Sequence, residues 1–330
     1  MPPYFSIIIS AYNRGKMLRS ALETIRFQME KDFECLMVDD GSTDCVPQVI
    51  ADFTKMDPRF KSLGSQKNQG MNAARNLALA VAQGRFITFL DSDDFWLPER
   101  LKEFRQRLEE TPEVGFVFSN CYVLRFGLIV GTLFDPNKDI PEGVVPGHYG
   151  IGDKYLPYVT TNLAISGKSF KKWGFFKTGF KATDTELFAR FLAQGLPVAA
   201  LRQPLAVRRI HEDQITAGHT GNFEQSLAAF PSSHVAGPEA RRLREETAAD
   251  VAMHLIKAAR PLEAREFLTR TIGADAERLA AWRLSYVPAP VLRALRNGKQ
   301  ALMYLRHHPL LLAPDARRAL DVITPLLAAE

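Results

Sequence analysis

Three aspartates, Asp91, Asp93 and Asp94, stand within four residues of one another. Like charges packed this closely raise one another's pKa unless a cation is present. Mg²⁺ or Mn²⁺ relieves that repulsion, and Mg²⁺ is usually bound through one or two protein carboxylates together with substrate phosphates. We therefore predict a divalent cation site that works with a phosphate-bearing ligand. The alternative is a solvated turn that caps the next helix.

The elements around this cluster alternate between strand and helix patterns. A β-branched run over 5–11 predicts a strand buried on both faces, and apolar residues at helical spacing follow it. Similar strands are predicted over 33–38, 60–63 and 85–90, with amphipathic helices between them. Four strand–helix units predict an α/β fold with a doubly wound, mostly parallel sheet.

Polar clusters follow three of these strands directly. They are Tyr12-Asn13, Asp39-Asp40 and the aspartates of 91–94. In open α/β sheets, ligands bind outside the carboxyl ends of the strands. The three clusters are therefore predicted to meet at one ligand-binding edge.

The rest of the chain is less regular. Strands are predicted over 114–119, 122–130 and 205–210, a mobile loop over 134–155, and a helix from 182 that stops at Gly195. After about residue 230 the chain becomes rich in Ala, Arg and Leu, in helical stretches broken by prolines. We predict a catalytic domain over 1–230 and a helical C-terminal region over 231–330.

The bulk composition is that of a globular protein. Of 330 residues, 46% are hydrophobic and 24% charged, with a formal net charge of +5. The apolar run near the start is far shorter than the ~20 residues that span a bilayer. With no signal-peptide pattern and three cysteines without metal-ligand spacing, we expect a cytoplasmic protein with reduced thiols.

Four motifs together resemble the successive signatures of family 2 glycosyltransferases. They are Ser10-Ala11-Tyr12-Asn13-Arg14, Val38 to Asp44, Asn68-Gln69-Gly70 with Ala74-Arg75-Asn76, and Leu90 to Asp94. The resemblance covers about residues 4–215. It implies a GT-A fold with helices on both faces of the sheet. It also implies an inverting, metal-dependent transfer of sugar from a nucleotide-sugar donor.

The resemblance implies a nucleotide site. Tyr12 matches the aromatic residue that stacks on the base, with Ser10 beside it. Asp39 matches the carboxylate that accepts the uracil imide N–H, which favours a UDP-sugar. Arg75 matches a basic contact to the nucleotide, and Asp91 generally faces the ribose. The structural alternatives are a core aromatic for Tyr12, a turn residue for Asp39 and a solvated helix face for Arg75.

The resemblance also implies a metal site for Mn²⁺ or Mg²⁺. Asp93 matches the last acid of the DXD motif, which coordinates the ion that bridges the diphosphate. His211 in Arg209-Ile210-His211 resembles an Arg-x-His element and is expected to ligate the metal or contact the diphosphate. Arg209 and Asp94 are expected to contact the diphosphate, or the donor and acceptor. An ordinary surface histidine is the alternative for His211.

Inverting transfer needs a carboxylate base on the acceptor side. The candidates lie in Thr183-Asp184-Thr185-Glu186-Leu187. The family usually shows Glu-Asp, two residues and then Leu, so alignment on Leu187 places Asp184 on the general base. Thr183 stands where the family usually has Glu. Glu186 is the second candidate, and a helix N-cap is the structural alternative for Asp184.

The segment 283–318 carries seven basic residues against a single acid, Asp315, with aromatic residues among them. Such a stretch can dock on anionic headgroups and would suit a lipid-linked glycan acceptor. The competing interpretation is a helical appendage for packing or homodimer formation. We expect no nucleic-acid partner.

Three functional hypotheses follow. The first is a glycosyltransferase of bacterial surface polysaccharide synthesis, and the second is a catalytically silent nucleotide-sugar-binding subunit. The presence of both Asp93 and Asp184 favours the first. The third is a nucleotidyltransferase or dinucleotide oxidoreductase, which the missing glycine-rich turn after the first strand argues against.

Overall fold

The computed structural model describes residues 2–65, 67–125, 127–146, 156, 159–178, 183–211, 245, 248–249, 252–253, 255–256, 260–292, 294 and 314–330. Its described residues form two compact units. The first contains the sheet together with residues 314–330, and the second contains helical residues between 245 and 294. Within the predicted C-terminal region over 231–330, the last residues thus belong with the sheet, and the earlier described helical residues form the second unit.

Nine described strands form one mixed sheet in the order β3-β2-β1-β4-β8-β6-β9-β5, with β7 paired to β6. Their bounds are β1 Phe5–Ala11, β2 Phe33–Asp39, β3 Phe60–Ser65, β4 Phe86–Phe89, β5 Phe95–Trp96, β6 Phe116–Arg125, β7 Leu128–Thr132, β8 Leu163–Ser166 and β9 Val198–Ile210. The four predicted N-terminal strands are all present. Six strands run in one direction, while β5, β7 and β8 run opposite to them.

The predicted strands 114–119 and 122–130 have the wrong boundaries. β6 continues through this break, and the chain turns back only after Arg125. Polar Asn120, which interrupts the apolar pattern, is fully buried because its side chain bonds the backbone of Phe134 at 2.8 Å. Gly127 has a φ of 75° at the turn into β7. Such a φ favours glycine, so the hairpin turn falls there.

Helices cover both faces of the sheet, as predicted. The helices are α1 Gly15–Arg26, α2 Val46–Met56, α3 Met71–Val81, α4 Arg100–Glu110, α5 Gly167–Trp173 and α6 Thr183–Ala193. Ile7 and Ile9 of β1 pack in one core with α1, α2 and α4, whereas Ile8 packs in the other with α3, α5 and α6. Alternate strand residues point to opposite faces, which explains why the three consecutive isoleucines of β1 are all buried.

The helix α9 (Pro314–Ala328) packs against the end of the sheet that contains β5, β7 and β9. Its small and apolar face, with Ala316, Ala319 and Ile323, contacts the cluster that includes Phe95 and Val207. The second unit contains α7 (Pro261–Ile272) and α8 (Ala280–Leu284) around a small apolar core of its own.

Two predictions fall partly outside the described residues. In the predicted loop, residues 134–146 contain no helix or named strand, and 147–155 lie outside the description. Most of the basic segment 283–318, namely residues 295–313, also lies outside it. None of the helices that the structure describes is long and apolar enough to cross a membrane.

Candidate active site

Hydrogen bonds join the loops that follow β1 and β2 at the carboxyl edge of the sheet. Asn13, which has a φ of 51°, accepts the N–H of Thr43 through its side-chain oxygen at 2.8 Å. Its own N–H donates to Ser42 Oγ at 3.0 Å. Asp44 accepts the N–H of Gly15 at 2.7 Å. These bonds fix the positions of Tyr12 and Asp39 relative to each other.

Asp39 is buried, and only one of its carboxylate oxygens takes part in the hydrogen bonds of the turn among the described residues. Its Oδ1 accepts the N–H of Ser42 at 2.9 Å, so part of the turn interpretation is confirmed. Its Oδ2 is buried without a hydrogen-bond partner among the described residues. A buried acceptor without a partner is costly, so this oxygen is suited to a ligand donor.

Neighbouring Asp40 has a different task. Its two carboxylate oxygens accept the N–H groups of Gln69 and Gly70 at 3.0 and 2.9 Å. It thereby holds the loop that leads into α3. Tyr12, 47% exposed, is not a core aromatic and is free to stack on a base. Ser10 lies two residues before it, half-buried in β1.

Arg75 is buried in α3, so its assignment to a solvated helix face is wrong. Its guanidinium lies over the rings of Phe89 and Phe176, with Cζ 5.7 and 5.5 Å from their centroids. Its Nη2 donates to Asp91 Oδ1 at 2.7 Å. Its Nη1 has no hydrogen-bond partner among the described residues and is therefore a second buried group suited to a ligand.

Asp91, Asp93 and Asp94 each place a carboxylate oxygen within 4.8 Å of the others. Burial raises the pKa of Asp91, opposed by the charge of Arg75 and reinforced by Asp93 and Asp184. Burial, Asp93 and Asp91 together raise the pKa of Asp94 well above its usual value. Burial is the largest cause of both shifts, and the repulsion between neighbouring aspartates, which a cation would relieve, adds to it.

Asp93 is the carboxylate with the most cationic surroundings in the cluster. Its Oδ2 contacts His211 Nε2 at 2.8 Å and also pairs with Arg14. Burial would raise the pKa of Asp93, but the hydrogen bond from His211 and the charge of Arg14 outweigh it and lower the pKa. The structure thus brings Asp93 and His211 together as predicted.

Arg209 does not point its guanidinium at the predicted diphosphate site. Both terminal nitrogens bond the carboxylate of Glu330, at 2.6 and 2.8 Å. What Arg209 supplies to the cluster is its backbone N–H, which donates to Asp94 Oδ1 at 2.8 Å. The predicted contact of Arg209 with the diphosphate stays a prediction, and in this structure the charge of the side chain is paired with Glu330.

Asp184 lies in the first turn of α6. Its Oδ2 accepts a hydrogen bond from Thr160 Oγ1 at 3.3 Å. Its charge contributes to the raised pKa of Asp91, which places it near the acidic cluster. The predicted base and the predicted metal site therefore share one region of the sheet edge.

Glu186 points into a different network. It pairs with Arg190 Nε and Lys177 Nζ, both at 2.9 Å. Burial would raise its pKa, but these two cations outweigh burial and lower it. Arg190 in turn donates to the backbone oxygens of Trp173 and Phe175. A carboxylate of lowered pKa that is held by two cations is a weak base, so these contacts favour Asp184 over Glu186 as the general base.

We expect Glu186→Gln to reduce the free energy of unfolding by about 2 kcal/mol, as for a hydrogen bond to a charged group. The native pKa lies below the usual value of 4.5. The stabilisation is therefore full above that pH and is lost as the pH falls through the native pKa. Urea unfolding at pH 7 and pH 3 checks this. An equal difference between variant and wild type at both pH values would contradict it.

Two site residues were not predicted from the sequence. Arg14 pairs with Asp93 although 79 positions separate them, and Thr160 reaches Asp184 across 24 positions. Arg14 stands in the quoted Ser10–Arg14 motif, so a signal for it exists. Thr160 lies in a polar run with no distinguishing pattern.

The side chains present fit a divalent cation and a nucleotide. Carboxylate oxygens are suited to Mg²⁺ and Mn²⁺, and Asp93 with His211 offers an oxygen and a nitrogen at one point. The partnerless atoms of Asp39 and Arg75 offer an acceptor and a donor on the same edge.

Comparison with known proteins identifies the family. The glycosyl transferase family 2 profile matches residues 6–126. The UDP-Glc:alpha-D-GlcNAc-diphosphoundecaprenol beta-1,3-glucosyltransferase WfaP of Escherichia coli is 30% identical over 215 residues, 64% of this chain and 79% of WfaP. The putative glycosyltransferase EpsH of Bacillus subtilis is 40% identical over 97 residues, which span 29% of this chain and only 28% of EpsH. The chain belongs to glycosyltransferase family 2.

Solved structures agree on the fold. Staphylococcus aureus TarS residues 1–349 with UDP-GlcNAc superimposes with a TM-score of 0.59 at 16% identity, covering 90% of this chain and 92% of that one. The mannosyltransferase PcManGT of Pyrobaculum calidifontis with GDP-Man and Mn²⁺ gives 0.56 at 19% identity, covering 100% and 86%. The chain is thus a glycosyltransferase of the GT-A fold.

Proposed function

We propose that this protein transfers a sugar, with inversion, from a UDP-sugar to a hydroxyl of a glycan or lipid-linked glycan. One observation carries the proposal. The acidic cluster, with oxygens within 4.8 Å of one another, lies at the same sheet edge as a partnerless buried oxygen of Asp39. A cation that binds the diphosphate would neutralise the acidic cluster. The uracil ring of the same nucleotide would supply a hydrogen-bond donor to Asp39.

The nucleotide is recognised at the ends of β1, β2 and β4. Tyr12 stacks on the base, and Asp39 Oδ2 accepts the uracil imide N–H. Arg75 Nη1 and Asp91 hold the nucleotide on the side of the ribose. The exposure of Tyr12 and the two partnerless atoms support this assignment.

Asp93 and His211 would hold Mn²⁺ or Mg²⁺, with Asp94 beside them. When bound, the ion neutralises the negative charge of the leaving diphosphate. Asp93 is ionised for this task because His211 and Arg14 lower its pKa. An ionised carboxylate is the form that binds metal.

The transfer itself uses Asp184. The acceptor oxygen forms a bond to the anomeric carbon as the bond from that carbon to the diphosphate oxygen breaks. The acceptor proton passes to the Asp184 carboxylate, and the electron pair leaves with UDP. Attack from the face opposite the leaving group inverts the anomeric configuration. Thr160 Oγ1, 3.3 Å from Asp184 Oδ2, orients the carboxylate.

The substrate class comes from Asp39 and from the relatives. WfaP is by its name a UDP-glucose-dependent enzyme that acts on a diphosphoundecaprenol acceptor, whereas PcManGT was solved with GDP-Man. We assign uridine to this chain on Asp39 and a lipid-linked acceptor on the likeness to WfaP. A cytoplasmic location at the membrane surface, in bacterial surface polysaccharide synthesis, belongs to the same proposal.

A thermal-shift panel tests the donor. UDP, UDP-sugars, GDP and GDP-sugars are compared with and without Mn²⁺. A ligand at 100 times its Kd stabilises the folded state by about 2.7 kcal/mol, which is readily measured. We expect stabilisation by UDP compounds that increases with Mn²⁺. Stabilisation by GDP compounds alone would overturn the assignment of Asp39.

Asp39→Asn should weaken UDP binding about tenfold or more, because a charge-assisted hydrogen bond contributes about 1.5–3 kcal/mol. Calorimetric titration with UDP and GDP measures this. The ratio of the two affinities should shrink towards one. Asp40→Asn is the matched control, since Asp40 is the neighbouring acid and its carboxylate oxygens accept the N–H groups of Gln69 and Gly70. It should lower stability and keep the preference for uridine. Equal preferences in Asp39→Asn and wild type would refute the contact.

The basic segment 283–318 remains a prediction of peripheral membrane contact or of homodimer formation. Sedimentation with anionic liposomes at low salt tests the first, and light scattering tests the second. If the protein stays in the supernatant at low salt, the predicted membrane contact is wrong.

A further inference from the structure

Residues 314–330 contact β9, the strand that directly precedes His211. Helix α9 packs with Phe95 and Val207 in one apolar cluster. Phe95 and Val207 are also register partners in the short pairing of β5 with β9. Phe95 directly follows Asp94, and His211 directly follows β9. The helix therefore packs against the two chain segments that position Asp94 and His211 at the proposed cation site.

After helix α9, Glu330 forms an ion pair with Arg209 of β9. Both oxygens of Glu330 bond the guanidinium of Arg209, at 2.6 and 2.8 Å. The side chains of Arg209 and Glu330 are only 10% and 15% exposed. The Arg209 Cζ also lies 4.5 Å from the ring centroid of Phe95. Such a two-point pair on an aromatic face fixes the orientation of the arginine.

The same arginine is joined to the cation site through its backbone. Its N–H donates to Asp94 Oδ1 at 2.8 Å, and two residues later His211 Nε2 meets Asp93 Oδ2 at 2.8 Å. The pairing of β6 with β9 ends at Ile210. His211 therefore follows the last paired residue of β9. Because no strand pairing among the described residues holds His211, the position of Arg209 helps to determine the position of His211.

We propose that Glu330 is a positioning residue for the cation site. It holds Arg209 so that the end of β9 presents the backbone N–H to Asp94 and the imidazole of His211 to Asp93. This inference rests on the proposed metal site of the preceding section. It assigns a function to residues 314–330 that the family signatures, which end near His211, do not include.

A second ion pair of the same helix provides a control. Arg318 pairs with Glu99, which lies outside the acidic cluster. The side chain of Arg318 is 70% exposed. Arg318→Ala removes the contact of α9 with Glu99 and leaves β9 unaltered. Glu330→Gln keeps the shape of the side chain and removes the charge, and Glu330→Ala removes the whole contact.

The experiment uses the full chain and two readouts. The first is Mn²⁺ affinity, measured by water proton relaxation in the presence of UDP. The second is hydrogen exchange of the amides of 207–211 in protein without metal. We expect Glu330→Ala to weaken Mn²⁺ about tenfold, the lower end for supporting residues of metal ligands, and to speed exchange at Arg209. Glu330→Gln should show a smaller change in the same direction, and Arg318→Ala should show neither.

Three outcomes overturn the inference. One is Mn²⁺ affinity within twofold of wild type in both Glu330 variants. Another is an equal loss in Arg318→Ala, which would mean that docking of the helix alone matters. The third is unchanged exchange at Arg209. If the wild-type protein with UDP binds no Mn²⁺, the proposed metal site itself fails, and the exchange readout still decides whether Glu330 holds β9.

Discussion

Asp184→Asn is expected to lower the turnover number by about a thousandfold, within the 10²–10⁴ range of general base catalysis. Asparagine keeps the size of the side chain and an oxygen that can accept the hydrogen bond of Thr160 Oγ1. It cannot take the acceptor proton at neutral pH. Donor binding should be unchanged, because Asp184 meets the acceptor side of the proposed site. Steady-state kinetics with donor hydrolysis or transfer as readout, together with UDP titration, measures both.

Glu186→Gln is the matched control for this variant. The two acids lie two positions apart in α6, but Glu186 pairs with Arg190 and Lys177. Its substitution should reduce stability and leave the turnover number of the folded protein within a fewfold of wild type. If Asp184→Asn kept a tenth or more of the activity while Glu186→Gln lost it, the assignment of the base would have to be reversed.

Asp93→Asn is expected to abolish Mn²⁺ binding in the micromolar range and to lower turnover by at least about 10³-fold. Stabilisation of the leaving charge by a bound metal ion amounts to several kcal/mol, and each 1.36 kcal/mol is a factor of ten in rate. The carboxylate Oδ2 of Asp93 is also where His211 and Arg14 meet. Calorimetry with Mn²⁺ in the presence of UDP, and kinetics over a range of Mn²⁺ concentrations, follow the two losses.

The control for Asp93→Asn is Asp44→Asn. Asp44 accepts the N–H groups of Gly15 and Val46 at 2.7 and 3.1 Å, and it is not part of the acidic cluster. Asparagine retains an oxygen for one of these bonds, so metal affinity should be kept. Recovery of Asp93→Asn at high Mn²⁺ to more than a tenth of wild-type turnover would show that Asp93 is not the main ligand.

Local patterns in the sequence were sufficient to predict the first four strands, β1 to β4, and the helices between them. β1 is apolar at every position from Phe5 to Ile9 except Ser6 because both of its faces are covered. That pattern requires helices on both sides, which the structure contains. The aspartates of 91–94 come together for an equally local reason, since they are neighbours in the chain at a strand end.

Long-range pairing could not be predicted in the same way. Nothing near Arg209 indicates that its charge is paired with Glu330, which is 121 positions away. A basic residue beside a predicted metal ligand was therefore assigned to the diphosphate. The position of the antiparallel strand β8 between β4 and β6 was not predicted for a similar reason. Strand order depends on contacts between segments that are distant in the sequence. Glu186 was kept as a candidate base because nothing in the sequence indicates that Lys177, which lies before α6, pairs with it.

The central claim is that the acids after β4 hold a divalent cation against the diphosphate of a sugar donor. The most direct measurement is a calorimetric titration of the wild-type protein with Mn²⁺, with and without saturating UDP. If both ligands share one site, UDP must tighten Mn²⁺ binding, and Mn²⁺ must tighten UDP binding by the same factor. We expect that factor to be about ten or more. UDP binding with an affinity that Mn²⁺ does not change, or Mn²⁺ binding that survives Asp93→Asn, would contradict the claim.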